Sequence, residues 1–201
     1  LWELLRLEQT LFALPIAISA SLWAALGLPP LKAMLLMIIA MVAARTAGMS
    51  ANRLIDARID SKNPRTAERL LPSGRIQPGP VLLVLMVSLA LLAWSAWSLN
   101  PLCFKLCPLA FLLLLSYSYL QRFTWACHFG LGAVQACGPL GAWFAITGSF
   151  DWAALWLALG VAFWMAGFDI LYALADEEFD REHGIYSVPG CFGAETACRI
   201  S

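Results

Sequence analysis

Three oxygen-bearing side chains recur every fourth residue in Asn52-Arg-Leu-Ile-Asp56-Ala-Arg-Ile-Asp60. On a helix this spacing stacks them on a single face, where like charges repel and a cation would relieve them. A second acidic run follows near the other end of the chain. In Asp169-Ile-Leu-Tyr-Ala-Leu-Ala-Asp176-Glu-Glu-Phe-Asp180, positions 169, 176 and 180 stand at offsets of seven and four, again one helical face. Amide and carboxylate oxygens are hard ligands suited to Mg²⁺, an ion that keeps water and phosphate oxygens in its octahedral shell. Two such faces at one level would converge, hold the ion through Asn52, Asp56, Asp60, Asp169, Asp176 and Asp180, and bind a diphosphate. For either run alone the competing reading is a helix end carrying solvated acids.

Cations accompany these rows. Arg45 precedes Asn52 by seven residues, so it shares that face about 10 Å further along the helix axis. Inside an apolar span an arginine is costly against lipid, which points it into a protein-lined cavity. The alternatives for Arg45 are a structural ion pair or a snorkelling side chain. Arg65 and Arg69 lie in the loop Asn63-Pro-Arg-Thr-Ala-Glu-Arg, where guanidinium forks can clamp phosphate, while Arg75 fits better as surface charge. Arg122, after Ser116-Tyr-Ser-Tyr-Leu-Gln121, offers another phosphate contact, and Tyr172 joins the expected substrate-binding set with Asn52, Arg65 and Arg69. His128, alone among apolar residues, is expected to be a hydrogen-bonded packing residue.

The elements that position these groups are membrane helices. Of the 201 residues 61% are hydrophobic and 13% charged, with a mean hydropathy of +0.74, outside the balance of a soluble domain. A formal net charge of zero gives no global attraction for nucleic acid. Six apolar stretches approach the length that spans hydrocarbon: Leu11–Leu28, Ala33–Ala51, Val81–Leu99, Leu102–Leu120, Ala126–Gly148 and Trp152–Phe168. The first lacks a basic leader and a cleavage site, so it is expected to be kept as a helix. Alternating sides put nine basic residues (Arg6, Arg53, Arg58, Lys62, Arg65, Arg69, Arg75, Arg122 and Arg181) on one face and Lys32 and Lys105 on the other. The positive-inside rule makes the first face cytoplasmic, and both acidic rows lie there. Trp23, Trp97, Trp125 and Trp152 fall near span ends as an aromatic belt. The six cysteines have no metal-site spacing and read as apolar fillers.

The NxxxDxxxD run at 52–60, the Asn63-Pro-Arg-Thr loop and the DxxYAxxDxxxD run at 169–180, followed by His183-Gly184 and Ser187-Val-Pro, resemble the UbiA superfamily of membrane prenyltransferases. Glu8-Gln-Thr-Leu-Phe-Ala-Leu-Pro15 and Tyr119-Leu-Gln-Arg-Phe-Thr124 are most similar to its 4-hydroxybenzoate polyprenyltransferase-like branch, associated with the futalosine route to menaquinone. The resemblance implies one all-α domain over residues 1–201, a bundle of membrane helices around a central cavity. It also implies about nine spans, so a chain with six is expected to be truncated at its C-terminus. It implies Mg²⁺ as cofactor, polyprenyl diphosphate and an aromatic acid as substrates, a lipid bilayer as surroundings, and a cytoplasm-facing site in a bacterial inner membrane. Asp56, Asp176 and Arg45 are then the residues nearest the chemistry. Two other classes use similar residues. A cation carrier would need carboxylates along a path across the spans, and a prenyl diphosphatase or terpene cyclase would need no aromatic acceptor.

Overall fold

The computed structural model describes residues 8–201, and every regular element among them is helical. In chain order these are α1 (Glu8–Ala25), α2 (Leu31–Asp60), α3 (Pro78–Leu99), α4 (Pro101–Ser116), a 3₁₀ segment (Tyr117–Arg122), α5 (Cys127–Thr147), α6 (Trp152–Ala173), a 3₁₀ turn (Leu174–Asp176), α7 (Glu177–His183), α8 (Val188–Phe192) and α9 (Ala194–Ile200). Arg6, counted above on the basic face, lies outside the described residues.

Among the described residues five helices are long and apolar enough to cross a membrane, one fewer than the six expected. The exception is the first. The stretch expected to run to Leu28 ends as a helix at Ala25, because Leu26 turns to φ +50° and Gly27-Leu-Pro-Pro30 cannot carry the helix on. The boundaries of α2, α3 and α6 move outward. α2 has 30 residues, about 45 Å of helix, so its last turns extend past a hydrocarbon layer of roughly 30 Å and carry Asn52, Asp56 and Asp60 with them.

Helix ends follow local chemistry. Asn100 caps α4 by accepting the Cys103 N–H at 3.0 Å, and its amide donates to the Phe144 carbonyl at 2.7 Å, tying the α3–α4 turn to the end of α5. Asp151 caps α6 by accepting the Ala153 N–H at 2.7 Å, and Gly148, at φ +64°, closes α5.

The walls are held by small residues. Ala43, Ala47 and Ala51 make a buried stripe on α2 that packs against Leu85, Leu92 and Ala96 of α3 and against Cys107 and Leu114 of α4. Ala17 and Ala20 of α1 meet Met37 and Ala142 in the same way. Where apolar burial distinguishes little between protein and lipid, such stripes favour association by letting backbones approach. One close approach is at Gly132, where a Cβ would lie 2.3 Å from the Ala162 carbonyl oxygen, so α5 and α6 touch backbone to backbone. Leu82, Leu83, Trp97 and Phe163 stay exposed on the outside, the surface a bilayer would cover.

Candidate active site

Both acidic rows reach one polar cavity of about 550 Å³, walled by Asn52, Asp56 and Asp60 from α2 and by Asp169, Asp176 and Asp180 from the far side. Arg45, Arg65, Arg69 and Tyr172 line it as well. The second row gets there differently from the way its spacing predicts. The helix breaks at Ala173 into a 3₁₀ turn and restarts as α7, so 169 and 180 belong to separate helices. The acidic run Asp176-Glu-Glu-Phe-Asp180 suits a new N-terminus, where the helix dipole favours negative charge.

Each carboxylate has a partner. Asp56 accepts from the Asn52 amide at 2.6 Å and from Arg122 at 3.0 Å, while Asn52 also donates to Ser118 Oγ at 3.2 Å. Arg69 Nη1 donates to both oxygens of Asp60 at 2.8 Å, and Arg53 lies 3.7 Å from one of them. Asp176 accepts from Asn63 Nδ2 at 2.8 Å and from two nitrogens of Arg65, one of them at 2.8 Å. Arg65 donates further to the Tyr172 hydroxyl at 3.0 Å and stands 5.1 Å from the centre of its ring. The hydrogen bonds with Asp176 push the Arg65 guanidinium above its ordinary range and keep it charged. Ser187 Oγ donates to Asp180 at 2.6 Å.

His128 is the residue whose importance the sequence hides. It is buried as expected, yet its Nδ1 lies 2.7 Å from Asp169 Oδ2, and its Nε2 accepts the Val188 N–H at 3.2 Å. A ring nitrogen that accepts a backbone N–H carries no proton, so the proton sits on Nδ1 and donates to Asp169. Nothing in the spacing links positions 128 and 169. Asn63 had a signal, the Asn-Pro-Arg-Thr loop, and it works twice: its Oδ1 accepts the Arg65 N–H at 2.9 Å while its amide holds Asp176. Arg122 does not line the cavity; it grips Asp56 and the Ile55 and Ser118 carbonyls from behind. Arg75 bonds within its own loop, to Ser73 Oγ at 3.2 Å and to the Glu68 carbonyl.

A second, apolar cavity of about 320 Å³ adjoins the first, and the two share Arg45, Met49, Tyr117, Leu131, Gln135 and Met165. Arg45 therefore stands at the neck between a charged chamber and a greasy one. Among the described residues no three His, Cys, Asp or Glu side chains are gathered as a cation site; the arginines and Asn63 lie between the acids instead.

The model of the UbiA prenyltransferase family matches residues 13–201. The chain belongs to that family. It is thus a prenyltransferase and, with five membrane-length helices among its described residues, an integral membrane protein. A 4-hydroxybenzoate octaprenyltransferase of Shewanella amazonensis is 33% identical over 196 residues, covering 96% of this chain and 67% of that protein. A UbiA homologue from Aeropyrum pernix, solved without ligand, superposes with a TM-score of 0.89 at 33% identity, over 96% of this chain and 73% of that one. A UbiA homologue from Archaeoglobus fulgidus, bound to DMAPP and Mg²⁺, shares the fold with a TM-score of 0.78 at 24% identity, over 98% of this chain and 70% of that one. The chain spans about two thirds of the length of such relatives.

Proposed function

We propose that this UbiA-family chain moves a polyprenyl group from polyprenyl diphosphate to the ring of an aromatic acid, 4-hydroxybenzoate or a dihydroxynaphthoate, in ubiquinone or menaquinone biosynthesis, with Mg²⁺ as cofactor. The observation that carries the reading is the meeting of two cavities, one walled by both aspartate rows and one apolar, with Arg45 at the neck. A diphosphate fits the first and an isoprenoid tail the second. Among the described residues the carboxylates inside helices α2 to α6, Asp56, Asp60 and Asp169, all wall the polar chamber, which favours this over an ion path needing them along the spans.

The donor set suits Mg²⁺ in kind, since Asn52, Asp56, Asp60, Asp169, Asp176 and Asp180 offer only amide and carboxylate oxygen. Bound among them, the ion would neutralise charge on the departing diphosphate. Arg65 and Arg69 line the same chamber, and their forks supply charge-assisted hydrogen bonds to phosphate oxygens. The allylic C–O bond breaks, its electron pair leaving with the diphosphate. The acceptor ring carbon then forms the new C–C bond and gives up its proton to the released diphosphate. Leu131, Met49 and Met165 at the neck keep water from the allylic cation, and Arg45 pairs with the acceptor carboxylate. The basic excess on the ends that carry this chamber faces it to the cytoplasm of a bacterial inner membrane.

The test is an assay of the purified protein in detergent with radiolabelled polyprenyl diphosphate, Mg²⁺ and a panel of aromatic acids. Label in a C-prenylated acid is expected. Label released only as prenyl alcohol or cyclised hydrocarbon, whatever acid is present, would move the protein to the diphosphatase or cyclase class.

A further inference from the structure

Six residues wall the neck between the two cavities, and three of them, Met49, Leu131 and Met165, offer only apolar surface. Of the polar three, Arg45 carries the charge, and the Tyr117 hydroxyl is directed to the Gly48 carbonyl at 3.4 Å. Gln135 is the third. Its side-chain amide is half-buried and has no hydrogen-bond partner among the described residues. The amide faces the cavity rather than a protein group, so its N–H is free to donate to a group bound in the neck.

The depth of Gln135 identifies that group. Gln135 follows His128 by seven residues on α5, which puts it on the same face, about 10 Å along the axis from the level of the second aspartate row. Arg45 stands at the same offset from Asn52 on α2, the facing wall. The diphosphate belongs with the aspartates, and the isoprenoid tail has no polar atom to offer. An aromatic acid held by Arg45 brings a carboxylate with two oxygens and several lone pairs, more than one guanidinium fork satisfies. A neutral N–H donor opposite a cation adds direction without adding charge.

We infer that Gln135 is a specificity-determining residue for the acceptor: its amide donates a hydrogen bond to the carboxylate that Arg45 neutralises, and selects acids over neutral phenols. This rests on the aromatic prenyltransferase reading given above.

The experiment is equilibrium binding of 4-hydroxybenzoate, 4-hydroxybenzamide and geranyl diphosphate to the purified protein in detergent, with wild type, Gln135→Leu, Gln135→Met and Gln135→Glu. The Leu and Met variants should bind the acid about tenfold more weakly while holding geranyl diphosphate within about twofold. Gln135→Glu should lose more acid affinity than either, because its carboxylate competes for Arg45, and should lose less for the neutral amide. Unchanged acid affinity in a folded Leu or Met variant overturns the inference and leaves the prenyltransferase reading standing. Equal losses for acid and diphosphate also overturn it, since they mark a packing role. A wild type that binds geranyl diphosphate but no aromatic acid sinks both the reading and the inference.

Discussion

The two aspartate rows face one chamber but are built on opposite plans. Asn52, Asp56 and Asp60 ride on a single unbroken helix, and two of their partners, Asn52 and Arg53, come from that helix itself. Asp169, Asp176 and Asp180 span a helix, a 3₁₀ turn and a second helix, and every partner is imported: His128 from α5, Asn63 and Arg65 from the loop after α2, Ser187 from beyond α7. The first row is positioned by secondary structure and the second by tertiary contacts. The difference teaches that equal spacing in sequence does not mean equal means of support.

If the rows are equal halves of one site, their central acids must matter alike. Asp56→Ala and Asp176→Ala should each lower prenyl transfer on the order of 10²–10³-fold at saturating Mg²⁺, and chelating the metal should silence the wild type. A loss in one variant at least tenfold greater than in the other, read by the radiolabel assay, breaks the equivalence. Near-normal turnover in both removes them from the chemistry.

Arg45 sharpens the comparison from below, because it extends the first row inward and should act on the acceptor alone. Arg45→Ala is expected to weaken aromatic acid binding by about 2–4 kcal/mol and to leave prenyl diphosphate affinity almost intact. Arg45→Lys should recover only part, since an ammonium keeps the charge and loses the fork. Paired titrations decide it: a fall in diphosphate affinity instead would assign Arg45 to the phosphate clamp.

The imported supports of the second row make a smaller, structural prediction. His128→Ala removes a bond to Asp169 and leaves the buried Val188 N–H without its acceptor, so thermal unfolding should show a loss of about 1–3 kcal/mol. Arg181→Ala breaks only an exposed 2.6 Å pair with Glu177 and should change stability by about 0.5 kcal/mol or less. A larger cost at Arg181 than at His128 would mean that the surface of α7, not the anchoring of Asp169 and Val188 to α5, holds the second row.

What the sequence disclosed follows the same division. The first row could be read from its spacing because α2 is continuous, and Arg45 could be placed by counting turns. The second row could be read as a motif but not as a face, since the break after Ala173 leaves no periodic trace. His128 and Gln135 escaped for a related reason. Their partners or cavities are made by elements far away in the chain, and one buried histidine or glutamine in an apolar helix looks like any other. The end of the first span was set too late, at Leu28 rather than Ala25, because hydropathy does not register the backbone turn at Leu26.

The contact at Gly132 has a bearing on how such a site can be redesigned. With the Ala162 carbonyl oxygen in the space that a side chain would need, α5 and α6 meet main chain to main chain, and any residue larger than glycine at 132 would force the two helices to shift. Gln135 lies on one of those two helices and Met165 on the other. Room for a bulkier aromatic must therefore come from trimming the neck, where the unbranched thioether chains of Met49 and Met165 adapt most readily. The molecule has a rigid frame with an adjustable lining, and efforts to broaden its repertoire belong at the lining.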